Sequence, residues 1–222
     1  MKNFSEIYNF ATGPLVWVTF LVFFSGCAYK LQKFFSLVNT KEKWIFSYMS
    51  LKYSLRSLSH WCIPFGSKSW RLHPLVTPMT FVLHFCILLL PLFVSAHVML
   101  IYEAWGIHWP VLPDCVADAL TFLAVSGAIF FLLRRVVLRE VRFLSTLSDF
   151  LLVIMVGVPF ITAFFSYHHV LNYEYMVILH ILSGELMIMA IPFTRFSHML
   201  YALFTRSYIG SEFGGVRHAI DW

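Results

Sequence analysis

The sequence predicts an all-α protein: an integral membrane bundle of five transmembrane helices, with the N-terminus outside and the C-terminus in the cytoplasm. Three observations carry this. Of 222 residues, 59% are hydrophobic. Only 12% are charged, about half the share of an average soluble domain, and a soluble fold of this length exposes more surface than so few charges can cover. The basic residues cluster in particular connections, which is the pattern of membrane orientation rather than of a nucleic-acid face. No nucleic-acid partner is expected, and the lipid bilayer is the surrounding medium.

Five apolar runs come close to the roughly 20 residues that cross about 30 Å of hydrocarbon. The first covers about 13–29. A cytoplasmic connection over 30–73 follows, basic and aromatic through Trp44, Phe46, Tyr48, Tyr53 and Trp61. It reads as an amphipathic helix lying partly on the membrane surface, or as a plain topogenic loop. The second run covers about 74–102 and carries Pro78 and Pro91, both expected to kink it. The third and fourth cover about 116–133 and 147–167. The fifth covers about 175–203, with a kink expected at Pro192. The second and fifth exceed what a bilayer needs, so they tilt, bend or project beyond it. A cytoplasmic tail over 205–222 is expected to dock on a partner subunit. The whole chain, 1–222, forms one membrane domain.

Orientation follows from the Lys and Arg count. Fifteen of the sixteen basic residues fall in the connection 30–73, in the one after the third run, or at and beyond the end of the fifth. Lys2 alone lies on the other side, and the two remaining connections hold none. By the positive-inside rule these are an outside N-terminus and a cytoplasmic C-terminus. The four cysteines form no CxxC or CxxCH, so neither a structural zinc site nor covalent haem attachment is supported.

Ionisable residues inside spans are costly and rarely lack a task. Here they are His84 and His97 in the second run, with His180, Glu185 and His198 in the fifth. His180 and His198 are 18 residues apart, about five helical turns, so an unbroken helix projects both from one face about 27 Å apart. Neutral imidazole is a usual axial ligand of haem iron, and two from facing helices clamp the ring. Depth pairs His97 with His180 toward the outer surface and His84 with His198 toward the cytoplasm. Two stacked haems b would then carry electrons across the bilayer. His84 and His97 are 13 apart, about 220° round an ideal helix, and Pro91 between them is the device expected to change the winding. If His84 merely packs, one bis-histidine haem remains.

Five spans with paired histidines on the second and fifth resemble the respiratory nitrate reductase gamma-subunit family of di-haem cytochromes b. The stretches LHFCILLLPLFVSAHVML, LHILSGELMIMAIPFTRFSHML and TRSYIGSEFGG look closest to the haem b subunits of transmembrane redox complexes of sulfate-reducing bacteria. The resemblance implies His84, His97, His180 and His198 as iron ligands in a bacterial inner membrane. It also implies a periplasmic multihaem cytochrome c, a cytoplasmic iron–sulfur subunit and other membrane subunits as partners, with menaquinone as a further redox partner. Haem propionates need cations, and Arg71, Arg134, Arg135 and Arg195 stand at the cytoplasmic side. Glu185 is a candidate for a proton path. His168, beside Tyr167 on the outer side, suits a group that takes a proton from quinol as electrons leave. Two other readings stay open: a haem-free membrane scaffold subunit, and a proton-linked transporter whose histidines and Glu185 form a relay.

Overall fold

The computed structural model describes residues 2–222 and is helical over 83% of its length, with no strand among the described residues. Its helices are α1 (Lys2–Phe10), α2 (Val16–Lys41), α3 (Ile45–Tyr48), α4 (Leu51–Cys62), α5 (Lys68–Leu72) and α6 (Val76–Phe93). They continue with α7 (Ser95–Trp105), α8 (Asp114–Val137), α9 (Arg139–Leu144), α10 (Leu147–Tyr167), α11 (Tyr173–Ala190) and α12 (His198–Ser211). Five stretches are long and apolar enough to cross a membrane: Phe4–Lys41, Val76–Phe93, Asp114–Val137, Leu147–Tyr167 and Tyr173–Phe193. That is the make-up of a multi-pass membrane protein. Trp17, Leu21 and Phe24, a stripe at helical spacing on α2, stay exposed as lipid-facing side chains do.

Two compact units divide the chain. The first comprises Met1–Thr12 and Pro78–Gly184. Its helices approach through small residues, because between apolar helices in lipid close backbone packing replaces the hydrophobic drive. Ala124, Gly127 and Ala128 are buried on α8. A Cβ on Gly157 of α10 would lie 3.4 Å from the Ala128 side chain, and one on Gly127 3.4 Å from Leu83 of α6. On α10 a capping box closes the first turn: the Thr146 hydroxyl and backbone N–H both donate to Asp149, each at 2.8 Å.

The second unit comprises Gly13–Thr77 and Glu185–Trp222. Gly26 of α2 sits against Pro192, where a Cβ would come within 2.7 Å of the ring. Phe34 and Phe35 of α2 meet Tyr201 and Phe204 of α12. α4 lies along α12 through serine and glycine: the Ser54 and Ser211 hydroxyls bond at 3.0 Å, and Gly210 abuts Ser57.

Both over-long runs break. In the second, α6 ends at Phe93 and Val94 is extended, with ψ 137°, before α7 begins. In the fifth, Ala190 leads into a 3₁₀ turn at Ile191–Phe193 and Thr194 is extended, with ψ −172°, before α12 starts at His198. Proline lies just before each break, where it removes a backbone donor and crowds the preceding turn. One correction follows. His180 and His198 do not share a continuous helix, so the five-turn, same-face reading of their spacing does not hold.

Candidate functional site

The break after α6 frees the carbonyls of Pro91, Leu92 and Phe93 from their places in the helical ladder, and each finds a donor from outside α6. His97 Nδ1 donates to Pro91 O at 2.9 Å, Trp109 Nε1 to Leu92 O at 2.7 Å, and the Leu112 N–H to Phe93 O at 2.9 Å. Pro91 therefore does more than bend the chain: its carbonyl orients the His97 ring. On α11, His180 Nδ1 donates to Pro159 O of α10 at 2.9 Å. A carbonyl can only accept, so Nδ1 carries the proton in both rings and a neutral ring has its lone pair on Nε2.

His97 and His180 lie in the first unit with ring centroids 5.9 Å apart and planes inclined by 18°. Two imidazoles sharing one metal ion at about 2.0 Å from each nitrogen have centroids roughly 6 Å apart. Both rings are half-buried. Among the described residues no group of three or more His, Cys, Asp and Glu could hold a bare ion. A pair without a third protein ligand suits a metal whose remaining positions are filled by a macrocycle.

The other two histidines carry the same backbone bond. His84 Nδ1 donates to Thr80 O at 2.8 Å, in the first unit. His198 Nδ1 donates to Arg195 O at 2.9 Å, in the second unit. Such a bond to the far ring nitrogen fixes tautomer and orientation in metal-binding histidines generally. Glu185 is buried on α11, and neither carboxylate oxygen has a hydrogen-bond partner. Arg71 Nη1 donates to Phe65 O and Gly66 O at 3.3 Å, stitching its own loop. Arg135 Nη1 donates to Phe131 O at 3.0 Å. Arg134 stands beside it in the last turn of α8, and Arg195 opens the 3₁₀ turn before α12.

His168 caps α10 and pairs through Nε2 with Asp118 Oδ1 at 2.9 Å, both side chains about one-third exposed. Its ring lies 4.4 Å from that of Phe164. The carboxylate accepts, so Nε2 carries the proton and the lone pair of the neutral ring is on Nδ1. His168 is nine residues beyond Pro159, the carbonyl that holds His180, or about 13 Å along α10.

Sequence reasoning missed one built region, the return of the tail onto α4. Arg206 Nη2 donates at 2.9 Å to Asp221 Oδ2 and at 2.8 Å to its backbone carbonyl, and Ser57 donates to the same carboxylate. The Arg206 and Asp221 side chains are only 15% and 1% exposed. Trp222 stacks on His60 at 4.4 Å, with the Arg56 guanidinium 4.4 Å from its ring centroid. Along the tail, burial first and then the hydrogen bond that its hydroxyl donates to Glu212 push Tyr208 up to about 12. Glu212 is itself held below the usual carboxylate range by Tyr208 and then Arg217. The available signal was small residues at three- and four-residue spacing on two segments, Ser50, Ser54 and Ser57 against Ser207, Gly210 and Ser211.

Fold and site together define a multi-pass helical membrane protein with oriented histidines in its first unit. The chain is 34% identical over 212 residues to a protein of Nitratidesulfovibrio vulgaris (strain Hildenborough), and the match covers 93% of each chain. It belongs to the family of that protein, whose name, "Protein", states no activity. No protein-family model matches the sequence, and no solved structure matches it.

Proposed function

We propose that this protein is a membrane-embedded cytochrome b that carries electrons across the bilayer as a subunit of a respiratory complex. The observation that carries the reading is the His97–His180 pair: rings inclined by only 18° with centroids 5.9 Å apart, about the separation of two imidazoles on one metal, each held through Nδ1 by a backbone carbonyl, with no third ligand among the described residues. Bound haem would supply one-electron chemistry at its iron. The protein's part is to hold that iron between two neutral imidazoles, keep water from it and set its potential through ligand orientation.

His84 in the first unit and His198 in the second are proposed as the further haem ligands, each with its Nδ1 on a backbone carbonyl as in the first pair. In the proposed orientation, N-terminus outside, His97 and His180 lie toward the periplasm, while Arg71, Arg134, Arg135 and Arg195 stand at the cytoplasmic surface for propionates. The exchange partners would be a periplasmic multihaem cytochrome c or menaquinone and a cytoplasmic iron–sulfur subunit. The relative's source, a sulfate reducer, agrees with the resemblance in the sequence. His168, its Nε2–H spent on Asp118, presents Nδ1 as the acceptor for a quinol proton, and Glu185 is the proton-handling group of α11. The membrane proposed is the bacterial inner membrane.

The test is the reduced-minus-oxidised spectrum of the purified protein together with its haem content. Two b-type haems per chain are expected. A folded, colourless protein that takes up no added haem would overturn the reading.

A further inference from the structure

α4 presents an unusual distribution of side chains. Its buried stripe is polar: Ser54 and Ser57 face α12. Two of its three leucines point away, Leu51 75% and Leu55 57% exposed, and Ile63 just past the helix is 57% exposed. Lys52 and Ser59 share that exposed arc, Ser59 in line between Leu55 and Ile63. In water this would leave an apolar stripe unsupported. At a membrane surface it is the expected arrangement, with apolar side chains in the acyl boundary and cations at headgroup level.

Beside α4 lies an open cleft of about 480 Å³. Three indoles, those of Trp61, Trp70 and Trp222, line it together with Ile220, and its charged lining is Lys68, Arg206 and Asp221. Arg206 and Asp221 neutralise one another at 2.9 Å. Lys68, which is exposed, is the cation of the lining outside that pair. Indole rings partition to the headgroup level of a bilayer, and a lysine beside them there is matched by a phosphodiester.

We propose that this cleft is a binding site for the headgroup of an anionic phospholipid, with Lys68 facing the phosphate and Leu51 and Leu55 of α4 seated in the adjoining acyl chains. The cleft lies wholly in the second unit, whereas His97 and His180 lie in the first, so the proposal does not depend on the haem reading.

The experiment is native mass spectrometry of the purified full-length protein, delipidated and then titrated with phosphatidylglycerol or phosphatidylcholine. One phosphatidylglycerol per chain is expected to bind in preference to phosphatidylcholine. Lys68→Gln should weaken that binding roughly tenfold, the loss of one charge-assisted contact. Lys43→Gln, in the same basic connection but outside the cleft, should leave it unchanged. Equal binding of the two lipids would overturn the proposal, as would equal weakening by the two substitutions, which would mean diffuse surface charge. Protection of the cleft by a protein subunit that excludes lipid from the assembled complex would overturn it too. Stronger quenching of tryptophan emission by brominated phosphatidylglycerol than by brominated phosphatidylcholine reads the same preference without a variant.

Discussion

Replacing His180 by alanine should lower the haem content from two per chain to one, and replacing His97 should remove the same haem. The reasoning rests on the 5.9 Å centroid separation and the 18° angle between the two rings. One iron held by both imidazoles loses its clamp when either is cut away, and alanine offers no replacement donor. Because both side chains serve a single centre, the effects cannot add. The His97→Ala/His180→Ala double variant should therefore retain one haem, as each single variant does, with the same remaining α-band and the same remaining redox transition. The assay is a pyridine haemochrome determination against protein concentration, combined with redox titration of the reduced spectrum. Far-UV circular dichroism checks that helicity survives. The orienting bonds give a graded companion test: they act through position alone, and loss of such a bond typically weakens a metal site 10- to 100-fold. Pro91→Ala, which allows the helix to run on past Phe93 and reclaim the carbonyl that His97 uses, should loosen the same haem without touching a ligand. A double variant with no haem, or single variants that lose different spectral components, would refute the shared centre.

Further predictions concern stability and protons. Gly26→Ala should destabilise the protein by about 1–3 kcal/mol, since the new Cβ would lie 2.7 Å from Pro192; the midpoint of thermal unfolding in detergent checks it. Asp221→Ala should cost roughly 3 kcal/mol, because it strands the mostly buried Arg206, and limited proteolysis should then release the tail; a tail as resistant as in the parent protein would refute the clasp. The Tyr208 hydroxyl, held up to about 12, contributes stability that is complete below its ordinary value near 10 and fades as pH rises through 12. Tyrosinate absorbance during alkaline titration should show one late component, lost in Tyr208→Phe. Glu185→Gln should preserve haem content and helicity while abolishing any proton uptake that accompanies haem reduction.

What was legible in the sequence were features set by composition and local pattern. Five apolar runs with few charges announce membrane helices, because hydrocarbon admits little else. His97 and His180 were legible as a pair because two antiparallel helices of bilayer length put them at one depth. The breaks were legible only in part. Pro91 and Pro192 mark where the helices weaken, but whether a proline bends a helix or ends it depends on what else can satisfy the freed carbonyls. At Pro91 the answer comes from elsewhere in the chain, through Trp109, Leu112 and His97. At Pro192 the neighbour is Gly26, more than 160 residues earlier, whose missing side chain makes room for the ring. The tail was illegible for the same reason, since Ser57, Arg206 and Asp221 have no meaning as a set until α4 and α12 lie together.

The break at Val94 changes how the histidine spacing should be weighed. On one helix, 13 residues turn His97 about 220° away from His84, which counts against both serving as ligands on a common face. The extended residue at Val94 ends one helical phase and α7 begins another, so the angle between the two side chains is no longer fixed by their separation in sequence. The objection loses its footing, although it does not become an argument in favour. The support for His84 is instead the bond from its Nδ1 to Thr80 O one turn earlier, which leaves Nε2 as the basic nitrogen of the neutral ring, as in His97 and His180. His198 gains the same tautomer from Arg195 O in the turn that precedes α12. Only His97 takes its orienting carbonyl from a broken ladder, that of Pro91, whereas His180 is held by Pro159 O on the neighbouring α10; proline carbonyls on two different helices therefore set the two rings that meet in the first unit.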